Sequence, residues 1–383
     1  MNRTFRNSPR VFALLVAAAA VVAVAAQPPF ATASIGAQAG ERLYVCNQND
    51  ATVTIVDMAS NEIIETLDLQ QLGFTANAKP HHIAVEPDGS FWYVTLIGDN
   101  RIVKLDRDNA VIAQAEFETP GMLSLHPDQD LLFVARSMSA VNPPQRIGMI
   151  RRSDMSIEEL DVFFPRPHAL ALQPETGVVY TASLAVNQIA AVDFANEELE
   201  LINVAGDPHA LMQFALSPDG TTLAISGEIS HKVLLIDISE PMAPVVTDVI
   251  DVGRQPFDPI FTPDGRWLYL GNKADDTVTV IDMNTRAVAK VISGDGLAEP
   301  HGVAVSADGR YVYVSNNNTG QVHDMAAMAG GQAGQGGEHA GHEMPAPEPG
   351  LGTVVVIDTT TQSIAKVLEV GHNASGLGAP TRR

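Results

Sequence analysis

The sequence is short of several things, and each shortage removes a class of protein. It has one cysteine, Cys46, in 383 residues. A single thiol makes no internal disulfide, so the fold must be held by packing. Cationic residues are scarce: 23 Lys and Arg stand against 45 Asp and Glu, for a formal net charge of −22. Such a surface repels nucleic acid and anionic lipid and favours cations or basic partners. Aromatics are only 5% of the chain, but 45% of it is hydrophobic, enough for a large core. There is no c-type haem motif, no phosphate loop and no nucleophile elbow.

Long apolar runs are also missing, except over residues 11–26. That uncharged stretch follows Arg3, Arg6 and Arg10 and precedes Ala31-Thr32-Ala33, a small-x-small cleavage site. Together they make a secretory signal over residues 1–33, with Val24-Ala25-Ala26 as a weaker cleavage site. An uncleaved anchor is the alternative, although the run is short for a span. No twin arginine is present, and Cys46 lacks the small preceding residue of a lipoprotein signal. The expectation is a periplasmic or secreted monomer, free of the membrane after cleavage.

What the chain does have is repetition. Residues 80–106 read as an apolar run, a Pro-Asp-Gly turn, a second run, a polar turn and a third run ending in Leu105-Asp106. Units open at Pro80, Pro120, Pro167, Leu211, Pro256 and Pro300, about every 40–48 residues. Seven second strands recur, from LYVCN at Leu43 to VYVSN at Val312. Seven third strands recur, from TVTIVD ending at Asp57 to TVVVID ending at Asp358. Four strands per period of this length predict an all-β, seven-bladed β-propeller over residues 42–380, with four antiparallel strands per blade. The first copy lacks an opening strand, and the tail after Val370 has one to give. The C-terminal strand is expected to close the ring.

Two columns of the repeat read as structural. Cys46 aligns with Thr95, Ala135, Ala182, Ser226, Gly271 and Ser315, a small-residue packing position. Asp57, Asp106, Asp193, Asp237, Asp282 and Asp358 end the third strands, where a carboxylate caps turn amides.

The histidines are unevenly placed. His81, His168 and His301 each follow the opening Pro, and His82 is one step later. His209 also follows a Pro, three residues further from its strand, and His372 lies near the start of the closing strand. First strands of a propeller line its central channel, so this column converges on one axis. His81, His82, His168, His209, His301 and His372 are thus a candidate axial metal site, imidazole being the common nitrogen donor for Zn, Cu, Fe and Ni. The same rings would also serve by hydrogen-bonding a neighbouring blade. In the His82 column the fifth full unit carries Asp258.

Residues 321–350 interrupt the last blade between its second and third strands. They are rich in Gly and Ala yet hold His323, Met325, Met328, His339, His342 and Met344. Thioether beside imidazole suits copper, Cu(I) especially. Antiparallel strands alternate between faces, which hangs this insertion over the face where the His column opens.

The segments YVCN, YVTL and YVSN, with VTIVD, VTVID and VVVID, resemble the YVTN-repeat propeller family, which includes lactonase-like members. The resemblance runs from about Arg42 to the end and implies the fold; one propeller scaffold hosts many activities. The hub histidines resemble the copper-cluster propeller domain of nitrous-oxide reductase: His81-His82 is similar to its paired His, and Pro300-His301-Gly302 to one of its single-His openings. That cluster uses seven histidines where six stand here, and the C-terminal electron-transfer copper domain is missing, so reductase activity is not implied. Three functions remain open. The first is a copper-binding propeller, acting in copper handling or as a redox site. The second is a lactonase- or lyase-type enzyme with an axial His as acid/base. The third is a scaffold binding a periplasmic protein partner through its acidic rim.

Overall fold

The computed structural model describes residues 40–136, 145–320 and 349–380. The signal at 1–33 and the histidines and methionines of the insertion lie outside them. The described residues form seven four-stranded antiparallel sheets, the seven-bladed propeller that the repeat predicts. The second blade is representative: Pro80–Val85 innermost, then Phe91–Leu96, Arg101–Asp106 and Val111–Glu116.

Burial falls outward. Second strands such as Phe91–Leu96 are almost wholly buried, whereas outer strands such as Glu62–Asp68 are almost wholly exposed. The hydrophobic effect acts mainly between blades. Tyr44 of the first blade stacks on Trp92 of the second, with ring centroids 4.6 Å apart. Buried phenols still need partners: the Tyr313 hydroxyl donates to Asn61 Oδ1 at 2.6 Å, tying the last blade to the first. Cys46 is fully buried in this packing.

The third-strand aspartates do cap turns. Asp106 Oδ1 accepts from the amides of Asp108 and Ala110, both at 2.9 Å, and Asp358 Oδ1 accepts from those of Thr360 and Thr361.

Closure follows the sequence expectation. Ala374–Gly378 supplies the inner strand of the first blade and pairs antiparallel with Arg42–Asn47, Tyr44 opposite Gly378 and Val45 opposite Leu377. Its other side lies against the inner strand of the second blade. A Cβ on Gly376 would stand 2.1 Å from the His81 carbonyl oxygen, so only glycine fits there.

Each inner strand opens in the same way. The residue before its first position is left-handed without being glycine: Lys79, Thr119, Arg166, Ala210, Gln255, Glu299 and Asn373 have φ of 46–55°. Where the following segment is described, the carbonyl of that residue accepts a hydrogen bond of 2.8–3.1 Å from just beyond the second strand, as Ile97 donates to Lys79 and Lys273 to Gln255. A β-bulge follows at once, as between Pro80 and Ile83, Pro256 and Pro259, and Pro300 and Val303. Bulges re-aim side chains, and these hold the hub residues.

Candidate metal centre at the propeller hub

The bulges of three blades bring His81, His168 and His301 together. The His81 ring lies edge-on to His168 at 6.2 Å and to His301 at 6.4 Å between centroids. His81 and His168 are 5% and 4% exposed. His168 Nδ1 is 2.5 Å from the carbonyl oxygen of Met212. That nitrogen must donate, which leaves the lone pair on Nε2. Neither ring nitrogen of His81, both sealed from solvent, has a hydrogen-bond partner, and His301 Nδ1 is in the same state. Buried polar atoms without partners are uncommon in folded proteins, and each calls for an explanation, an unfilled ligand position being one.

The electrostatics keep these rings neutral. Burial, with His168 and His82 nearby, lowers the His81 pKa to about 3. Burial lowers His168 to about 4, helped by Arg166 and opposed by the Met212 carbonyl. Burial and Lys273 hold His301 well below its usual value. Neutral imidazoles are the form that ligates a metal.

His82 stands one step deeper. Its Nδ1 accepts from the Leu123 amide at 3.2 Å, and burial lowers its pKa to about 4. Asp258 takes the matching place in the sixth blade, 7% exposed; burial raises its carboxyl to about 7.

His209 and His372 are placed differently from their sequence expectation. Each stands two residues before its inner strand opens, at Leu211 and Ala374, instead of one residue after. Met212 and Ser375 hold the hub column there. His209 spends both ring nitrogens locally, on Ser230 Oγ at 2.8 Å and the Ala205 carbonyl at 3.1 Å. His372 Nδ1 pairs with Asp50 at 2.9 Å and belongs to the closure between the last and first blades. Among the described residues, no three His, Cys, Asp or Glu side chains are arranged to hold one metal ion.

Four buried charges at the hub face are not singled out by the sequence. Arg166 and Glu299 hold the left-handed position before an inner strand; Glu228 and Lys273 directly follow second strands. Lys273 Nζ sits 4.9 Å from the Phe257 ring, which lies 4.7 Å from His301. Their signal would have been a charge beside an opening Pro or a YVTN-like end, positions that otherwise look like surface turns.

Among the described residues no helix is long and apolar enough to cross a membrane. No family model matches the chain. Protein NirF of Stutzerimonas stutzeri is 34% identical over 72 residues, and the chain spans only 18% of that relative's length, with 18% of the chain itself matched. A functionally unknown protein of Desulfotomaculum acetoxidans DSM 771 superposes with a TM-score of 0.68 at 13% identity, over 90% of this chain and 100% of that one. A streptogramin B lyase gives a TM-score of 0.59 at 16% identity, over 72% of this chain and 89% of that one. At these identities the structural likeness establishes the fold, a seven-bladed β-propeller.

Proposed function

We propose that this is an exported propeller whose hub binds a transition metal through neutral nitrogen donors, copper being preferred because thioether stands beside imidazole in residues 321–350, in copper handling or as a redox site. His81 carries the proposal: a buried imidazole, neutral at any physiological pH, with both nitrogens unused and two further imidazoles beside it. His168 offers Nε2 and His301 offers Nδ1. The rings stand too widely for three to reach one ion as they are, so loading must draw them inward or add a donor from the ligand. Metal analysis of the purified protein, followed by copper titration, tests it. His81→Ala and the His168→Ala/His301→Ala pair should each weaken binding at least tenfold. Unchanged tight binding in the double variant would place the copper elsewhere.

The second reading is a lactonase- or lyase-type enzyme. An imidazole with a pKa of about 3 makes a poor acid or base near neutrality, which disfavours His81 in that role. What favours the reading is Asp258, a buried carboxyl poised near pH 7 in the same ring of bulges. Turnover lost in Asp258→Asn with metal content intact would support it.

A further inference from the structure

Each inner strand places its second residue at the hub. Three of these residues are His81, His168 and His301, and the other four are Gly121, Met212, Phe257 and Ser375. We infer that Met212 gives the hub metal a thioether donor and that the ion held there is Cu(I). The inference rests on the metal reading of the hub and adds to it a ligand and an oxidation state.

Position puts the sulfur within reach. Met212 follows His168 around the ring, and its carbonyl oxygen lies 2.5 Å from His168 Nδ1. Backbone dimensions then set the Met212 Cα within about 5 Å of that nitrogen. The Met212 side chain is 5% exposed and shares a small apolar cluster with Leu184 and Phe257. The Phe257 ring in turn lies 4.7 Å from His301. Leucine would fill the same space, and sulfur is what it would lack. Three rotatable bonds let a thioether turn without moving the backbone. Met212 can therefore supply the donor that the widely set imidazoles need.

Charge and softness choose the ion. None of the seven hub residues is a carboxylate or a thiolate, so an ion there keeps its whole charge in a site largely closed to water. The desolvation cost grows with the square of the charge, about four times as much for a dication as for a monocation. Arg166, Lys273, Glu228 and Glu299, buried on the surrounding face, cancel in sign. Imidazole with thioether is a donor set for Cu(I), whereas Zn(II) takes thiolate, imidazole or carboxylate. Ser375 Oγ is the competing donor: the residue is 1% exposed and the hydroxyl has no partner among the described residues. A hard oxygen suits the dications that the desolvation cost disfavours.

The test is Cu(I) titration of the full-length protein under ascorbate, with bicinchoninate as the competing chelator. The sulfur of the insertion is first removed by Met325→Leu, Met328→Leu and Met344→Leu together. In that triple variant, adding Met212→Leu should weaken Cu(I) at least tenfold and shift Zn(II) affinity by less than twofold. Adding Ser375→Ala should leave Cu(I) affinity unchanged. The copper X-ray absorption spectrum of the triple variant should show a sulfur neighbour that Met212→Leu removes. If Met212→Leu lowers the melting temperature, the spectrum of the triple variant decides, and a copper without sulfur overturns the inference. Cu(I) affinity that survives Met212→Leu but falls in His168→Ala/His301→Ala removes Met212 and leaves the metal reading standing. Zn(II) bound as tightly as Cu(I) overturns the choice of ion. A protein that binds neither metal overturns both readings.

Discussion

Asp258 and the hub imidazoles titrate in opposite senses, which makes them separable by experiment. The Asp258 carboxyl keeps its proton to about pH 7 in the fold, against 3.8 for the free side chain. Between those values the unfolded chain has released a proton that the folded chain retains, so this group's stabilising term is full below about pH 4 and is lost by about pH 7. Asp258→Asn should remove that slope and stabilise the protein by about 2–4 kcal/mol at pH 8, measured by urea unfolding at pH 5 and pH 8. His81, His82 and His168 behave the other way. Their unfolded forms protonate below the ordinary 6.5, while the folded rings stay neutral down to 3–4. Stability in the metal-free protein is therefore full above pH 6.5 and falls as the pH drops toward 3–4. His81→Phe should flatten this acid limb. His209→Ala, which loses two local hydrogen bonds, should cost about 1–3 kcal/mol and leave copper titration unchanged. An effect of His209→Ala on copper affinity would return that ring to the site.

At the scale of the element, the strand openings decide what could be read in advance. Turn residues, Pro openings and alternating runs made the blades, the closing strand and three hub histidines legible. The left-handed residue before each opening was not. Lys79, Arg166, Ala210, Gln255 and Glu299 have no intrinsic liking for φ above zero; the backbone bonds on either side impose it. Without that marker, Pro208-His209 looks like Pro80-His81, although its imidazole enters three positions earlier in the register. The buried charges at the hub face were hidden for the same reason. The insertion is a cleaner case. Asn318 and Gly350 flank it and are already joined, Gly350 N to Asn318 O at 3.0 Å, and the ladder below runs from Asn316 opposite Thr353. Joining these ends by deleting residues 321–348 should leave the melting temperature within about 2 °C. If the Met and His of the insertion deliver Cu(I), the deletion should slow copper loading without altering Zn(II) binding.

The ring as a whole hangs on one blade made from both ends of the described chain. Truncation after Val370 removes Ala374–Gly378, bares the edge of the first blade's second strand, takes away what packs against the second blade's inner strand, and should abolish the cooperative thermal transition. Gly376→Ala tests the same joint more gently and should lower the melting temperature by several degrees, because a methyl group there meets the His81 carbonyl. A truncated protein that melts like the parent would show that the closing strand is dispensable.

The same joint sets a clock on the nascent chain. Asp50 meets His372 across 322 residues. At ordinary elongation rates the first blade waits on the order of 15–60 s for its fourth strand. Until then it presents a bare strand edge beside a growing row of finished blades. The chain cannot lock into its ring before Ala374–Gly378 has left the ribosome. The acidic turns and charged outer strands would keep the unfinished molecule from pairing with its neighbours in the meantime.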